Sequence, residues 1–194
     1  VDVKVRSSPI ESQREAYILY ERVKKSSFGI VIGYHSQKDI IKRPTPLYTD
    51  DLLTDLVKLT GLTAEKLLKL AEELYGEGYI SYPRTETNKY PNDFNFNKYL
   101  NVVLKSPIGN EIIDKIRSTA SPRNGRKDDG AHLPIYPVNS YRKDDKDVKW
   151  NIWEYIARRF VANAFCEDAC VLKQKLDVKI DNLTLGNFIK KEYF

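Results

Sequence analysis

Gly78-Tyr79-Ile80-Ser81-Tyr82-Pro83-Arg84-Thr85-Glu86-Thr87 is the stretch on which the reading of this chain turns. A phenol ordinarily titrates near pH about 10, so it attacks poorly at neutral pH unless its charge is stabilised or its proton removed. Arg84 stands two residues beyond Tyr82. On an extended backbone, residues two apart share a face and can address one phosphate together. Pro83 favours that geometry by lacking an N–H, fixing its own φ and pushing Tyr82 toward the extended region. A guanidinium gives two parallel hydrogen bonds to a phosphate without losing its charge. Aimed at charge that develops on the non-bridging oxygens, it supplies about 3 kcal/mol of transition-state stabilisation.

Upstream of this string the pattern is helical. Leu52, Leu53, Leu56, Val57 and Leu59 mark an amphipathic helix over 50–60, and Leu67, Leu68, Ala71, Leu74 and Tyr75 a second over 64–75. Gly61-Leu62-Thr63 is a tight turn, Thr63 an N-cap, and Gly76 and Gly78 end the second helix. Two short helices, a three-residue turn and an extended segment over 79–82 form a helix-turn-helix or winged-helix-like unit. Before it runs Lys42-Arg43-Pro44-Thr45-Pro46-Leu47-Tyr48-Thr49, in which Arg43-Pro44-Thr45-Pro46 is a stiff crossing segment. Downstream, 88–97 is loop, 98–104 a short helix and 111–118 another helix. Ser121 to Gly130 is a basic loop with Arg123, Arg126 and Lys127, either solvated or in contact with phosphate. It leads into Asp128-Asp129-Gly130-Ala131-His132-Leu133-Pro134-Ile135-Tyr136-Pro137. Pro134 and Pro137 keep that segment extended, where side chains are presented. His132 is either a proton carrier, since an imidazole titrates near neutrality, or a residue that pins its loop. His35, the only other histidine, has no motif around it.

The three ordered motifs together resemble the type IA DNA topoisomerases in their topoisomerase III form, and the resemblance runs from about Val1 to Phe194. It implies that Tyr82 is the nucleophile that joins covalently to one broken DNA strand. By the same resemblance Arg84 stabilises the pentavalent phosphate, and His132 serves as a proton or hydrogen-bond partner. Ser81, Thr85, Arg126, Lys127, Arg158 and Arg159 are the candidate DNA-binding residues. Leu133 departs from the proline expected beside this histidine. The family's Mg²⁺ is bound by an acidic Toprim domain that this sequence does not contain, so no metal ligands are expected here and the segment alone is expected to be inactive. Single-stranded DNA, the Toprim domain of the same polypeptide and a helicase are the implied partners. Two alternatives stay open: the topoisomerase half of a reverse gyrase, and a non-catalytic winged-helix DNA-binding module.

Composition agrees. The 194 residues suffice for one generous domain or two small ones, and 41% hydrophobic with 11% aromatic residues supports a real core. A formal net charge of +5 favours an anionic partner, although 30% charged residues also suit a solvated surface. No apolar run approaches the roughly 20 residues that span a bilayer, and no signal-peptide pattern opens the chain. Cys166 and Cys170, with no further ligands nearby, are expected to be reduced thiols. These features point to an intracellular protein of cytoplasm and nucleoid, or of the nucleus in a eukaryote. The chain opens on Val1 and contains no methionine, which leads us to expect a segment of a longer polypeptide.

The ends read differently from the middle. Val1, Val3 and Val5 alternate with polar residues as a strand, 12–25 is a helix, and Gly29 to Tyr34 a short strand resuming at Ile40-Ile41. Trp150 to Phe165 is a helix with Ile152, Tyr155, Ile156 and Phe160 inward. Leu172, Leu176, Val178 and Ile180 alternate with charges as a half-buried strand, Asp181-Asn182 turns, and Leu183-Thr184-Leu185 starts the return. Asp144-Asp145-Lys146-Asp147 reads as a solvated loop. The fold expected is α+β. A helical tyrosine-bearing domain over 43–168 is inserted into a β-rich domain over 1–42 and 169–194, which the resemblance makes the arch of a toroid.

Overall fold

In a computed structural model, the residues described are 7–117, 119–142, 144, 147–180 and 183–193. The expected strand at Val1, Val3 and Val5, the turn at Asp181-Asn182 and the middle of the acidic run at Asp145-Lys146 lie outside them. The chain is α+β. It divides into two compact units that part at Lys42/Arg43 and at Glu167/Asp168.

The first unit is built on a three-stranded antiparallel sheet in the order β1-β2-β3, from β1 (Ile30–Ile41), β2 (Ala169–Ile180) and β3 (Leu183–Tyr193). β1 runs unbroken where the sequence suggested a polar interruption, because β2 offers a partner at nearly every position from Ile30↔Lys179 to Ile41↔Ala169. A register shift lies between Val31 and Gly33. The chain therefore leaves this sheet at Ile41 and re-enters it at the paired Ala169. α1 (Gln13–Lys25) precedes β1, with Ser12 as N-cap and Ala16, Leu19 and Val23 half-buried. Leu172, Leu176, Val178 and Ile180 are half-buried as expected, but Lys173 and Asp177 are too, so the alternation is blunted.

The second unit holds the main core. α2 (Thr49–Thr60) buries Leu52 and Leu56, and α3 (Ala64–Gly76) buries Leu67, Ala71 and Leu74. Gly61 takes φ 70 as the left-handed cap of α2, and its N–H reaches Val57 O at 2.9 Å. Thr63 caps α3 as read, accepting from Lys66 N. The segment after α3 corrects the winged-helix expectation. Among the described residues it forms no strand, only the single bridge Ile80↔Pro137.

α4 (Phe96–Leu104) leads to a short α5 (Gly109–Ile112) and a 3₁₀ turn at Ile113–Lys115. This departs from the single helix expected over 111–118. Beyond the 3₁₀ turn, Arg117 N–H donates to Phe165 O at 2.8 Å and Ser121 N–H to Ala164 O at 2.7 Å. These bonds satisfy carbonyls at the end of α6 (Val148–Ala164), and that tertiary demand overrides local helix propensity. Around α6 the core closes: Trp150, Ile152, Trp153, Ile156, Ala157, Phe160, Val161, Asn163 and Ala164 are all buried. Each large apolar side chain so buried contributes about 1.5–3 kcal/mol. Tyr90, Phe94, Phe96, Tyr136 and Phe160 form a connected aromatic cluster beside it. Among the described residues, no helix is long and apolar enough to cross a membrane.

Two glycines give opposite tests of this packing. A Cβ at Gly109 would stand 2.0 Å from Leu104 O, whereas one at Gly76 meets nothing within 4 Å. Gly109→Ala should lose about 1–3 kcal/mol, and Gly76→Ala should be neutral or gain about 0.5 kcal/mol. Urea unfolding of the two variants checks both signs.

Candidate active site

Three segments of the second unit are laced together around Tyr82. After α3, Gly78 turns at φ 82 and Tyr79 N–H returns to Leu74 O at 2.9 Å. The chain then runs alongside 134–138. Ser81 N–H donates to Tyr136 O at 3.0 Å and Val138 N–H to Tyr79 O at 2.8 Å. The Ser81 hydroxyl donates to Pro134 O at 3.0 Å and accepts from Tyr136 N at 2.9 Å. On the other side, Thr49 Oγ1 accepts from Thr85 N at 2.8 Å and lies 2.8 Å from Pro83 O and 3.0 Å from Thr85 O. Thr49 N–H adds a bond to Thr85 O at 3.1 Å. Thus held, the string alternates: Tyr82, Arg84 and Glu86 are exposed, while Pro83, Thr85 and Thr87 are buried. Tyr82 and Arg84 therefore share an outward face.

Tyr82 sits between two rings. Its centroid is 5.3 Å from that of Tyr75, edge to face, and 5.3 Å from that of His132, tilted by 30°. His132 Nδ1 lies 3.1 Å from Asp129 Oδ2. Asp129 Oδ1 accepts the backbone N–H groups of Ala131 and His132 at 2.9 and 2.8 Å. Those two backbone donors, then the His132 ring and the Thr87 hydroxyl, hold the Asp129 carboxyl far below the usual carboxylate range. An ionised carboxylate can only accept, so the hydrogen sits on Nδ1, and in the neutral ring Nε2 is the free base. Arg84 donates through Nε to Glu72, and this bond first, with the Tyr82 phenol a lesser contributor, raises its pKa. The structure thus gathers Tyr82, Arg84 and His132 with Glu72, Tyr75 and Asp129.

The other expected DNA contacts fare unevenly. Thr85 is buried and its hydroxyl accepts from Thr87 N at 3.0 Å, so it is a backbone clip with no face toward a ligand. Ser81 is likewise spent on Pro134 and Tyr136. Arg159, its side chain 15% exposed, bonds Asp51, Asp55, Tyr155 Oη and Thr45 O. Arg158 pairs with Glu111 and Glu154. Both arginines tie α6 to its neighbours, because their helix is central to the core. Lys127 and Arg126 stay at the surface. Lys127 Nζ stands 4.1 Å from the centre of the Tyr48 ring and 3.9 Å from Glu86. The basic loop itself is zipped to Asn88, whose side chain accepts from Lys127 N at 2.9 Å and whose backbone bonds Gly125 and Lys127.

A cleft of about 450 Å³ is lined by His132 together with Lys89, Asn92, Gly130 and Ala131. Among the described residues, no three carboxylate, histidine or cysteine side chains gather to hold a metal ion. Asp128 and Asp129 are committed to backbone N–H groups, so these residues do not fit a Mg²⁺ site. Glu72, Tyr75 and Asp129 were not singled out from the sequence. Glu72 and Tyr75 carried a faint signal, lying three apart and so on one helix face, and Asp129 another, lying three before His132.

Asp129 makes this loop sensitive to acid. Its folded pKa is lowered, so its contribution is complete above the ordinary value of 3.8 and is lost as pH falls below that value. From about pH 5 to about pH 2, protection of the Ala131 and His132 amides against hydrogen exchange should fall. In Asp129→Asn the acid step should vanish. Unchanged protection in the unmodified chain at low pH would contradict this account.

Comparison with known proteins follows the same residues. A family model described as DNA topoisomerase matches residues 2–192. The chain is 35% identical over 148 residues to DNA topoisomerase 3-beta of Drosophila melanogaster, covering 75% of this chain and 17% of that protein. It is 32% identical over 166 residues to human DNA topoisomerase 3-alpha, covering 84% and 16%. To DNA topoisomerase 1 of Methanothermobacter thermautotrophicus it is 32% identical over 145 residues, covering 73% and 20%. The chain thus spans a fifth or less of these curated relatives. Full-length topoisomerase I from Thermotoga maritima superposes with a TM-score of 0.58 at 15% identity, over 98% of this chain and 31% of that one, a likeness of fold. With that family's model running through both units and the tyrosine string at its centre, the chain belongs to the type IA DNA topoisomerases.

Proposed function

We propose that this chain is the strand-cleaving part of a topoisomerase III-like enzyme, which cuts one DNA strand through a phosphotyrosine link, lets another strand pass, and reseals the first. The observation that carries the reading is Tyr82, outward on an extended backbone and in ring contact with a histidine whose Nδ1 is held by a carboxylate. Tyr82 Oη attacks phosphorus, the Oη–P bond forms, and one backbone P–O bond breaks. The phenol proton passes to His132 Nε2 and from there to the departing sugar oxygen. Arg84 donates to the non-bridging oxygens as their charge grows. Resealing reverses these steps.

The relatives named topoisomerase 3 and the intact Ser-Tyr-Pro-Arg-Thr-Glu-Thr run support the topoisomerase III assignment. The helical unit is then the gate and the sheet unit part of the arch. Arg126 and Lys127 remain candidate phosphate contacts. Mg²⁺ belongs in this proposal to a Toprim domain of the same polypeptide, and no step above runs through it. Incubated alone with a labelled single-stranded oligonucleotide and Mg²⁺, the chain should bind in a strongly salt-dependent way and yield no covalent adduct.

In the complete enzyme, Tyr82→Phe should abolish the adduct while oligonucleotide binding and folding are kept. If the hydroxyl serves the fold instead, the variant loses about 1 kcal/mol of stability and still forms the adduct. Tyr90 is not a substitute nucleophile, because burial holds its phenol well above its usual pKa and away from solvent. Arg84→Lys keeps a charge but loses the planar fork, so DNA relaxation should fall by about two orders of magnitude with stability unchanged. A near-normal relaxation rate would demote Arg84 to a surface residue.

A further inference from the structure

Glu72 and Tyr75 stand three residues apart on α3, hence on one face of the helix. Each meets one member of the pair two residues apart on the extended string. The Tyr75 ring lies edge-on to Tyr82, and Glu72 takes the Arg84 Nε hydrogen. We infer that α3 is the cradle of the reacting pair, with Glu72 a positioning residue that orients the Arg84 guanidinium. This rests on the reading of Tyr82 and Arg84 given above.

The Glu72 and Arg84 side chains are 38% and 55% exposed, and an exposed ion pair adds little to the fold. Glu72 gains nothing for binding either, since a carboxylate beside a phosphate site repels the ligand. What it does is grip one atom. The contact uses Nε, and the two Nη groups have no partner among the described residues. A guanidinium held by its Nε edge presents its two terminal nitrogens in a fixed plane, the fork that matches a phosphate. An unheld arginine at the surface would have to spend rotamer entropy to reach that plane. Tyr75 limits the Tyr82 ring from the same helix, so nucleophile and stabiliser are referenced to one rigid element.

Glu72→Ala and Glu72→Gln in the complete enzyme test this. Alanine is the strongest helix former, so α3 and the fold should survive. Adduct formation should fall about tenfold in Glu72→Ala and less in Glu72→Gln, which keeps a neutral acceptor. Affinity for a single-stranded oligonucleotide should stay equal or rise, because a negative charge has gone. Rate and affinity moving apart is a signature that a packing defect does not produce. A normal adduct rate in Glu72→Ala overturns the inference, as does a joint loss of rate, affinity and melting temperature. In the 194-residue chain the Arg84 Nε–H resonance should shift and exchange faster in Glu72→Ala, and an unchanged resonance also overturns it. Tyr82→Phe is measured in parallel. An adduct there sinks the nucleophile reading, while the Arg84 resonance still judges the Glu72 contact.

Discussion

The hydroxyl of Thr49 is the constraint on which the site depends. It accepts from Thr85 N and shares its single proton between Pro83 O and Thr85 O, bracketing Arg84 on both sides. A segment that carries Pro83 cannot be completed by a regular ladder, because proline offers no N–H. The side chain at the start of α2 takes the place of a neighbouring strand. With the backbone fixed in this way, alternation follows from strand geometry, and Tyr82, Arg84 and Glu86 face outward without any sheet around them. Ser81 does the same on the other side, bringing the His132 segment within ring contact of Tyr82.

Several cations of the helical unit are spent on ion pairs between its elements. Arg159 bridges Asp51 and Asp55, Lys149 bridges Glu73 and Glu77, and Arg158 bridges Glu111 and Glu154. The net charge of +5 is thus a poor map of where an anion binds. Around Tyr82 the electrostatic features are few and specific: an arginine held by Glu72, a histidine oriented by an ionised Asp129, and Lys127 above the Tyr48 ring. Arg84, His132 and Lys127 each have a carboxylate or an aromatic face that limits their directions. That suits a site where geometry at one phosphate matters more than overall attraction.

The sequence alone determined the parts governed by local physics. Leucine periodicity, the Thr63 cap and the left-handed Gly61 are near-neighbour effects, so α2, α3 and their turn were legible almost to the residue. So was the outward sharing of Tyr82 and Arg84, because Pro83 enforces extension locally. The motif resemblance named the family without any coordinates. Tertiary structure decided what depends on partners distant in the chain. The helix expected over 111–118 broke because Arg117 and Ser121 bond carbonyls at the end of α6. The strand of a winged helix shrank to one bridge, with the Ser81 and Thr49 side chains supplying bonds a ladder would otherwise make. Thr85 turned out buried, and Arg159 and Arg158 turned out paired with carboxylates, since only packing tells a buried hydroxyl or paired guanidinium from a free one. Glu72 and Asp129 emerged as holders of Arg84 and His132 for the same reason. A carboxylate's role is set by the donor that folding brings to it: for Asp129 that donor lies three residues on, but for Glu72 it lies 12 residues away.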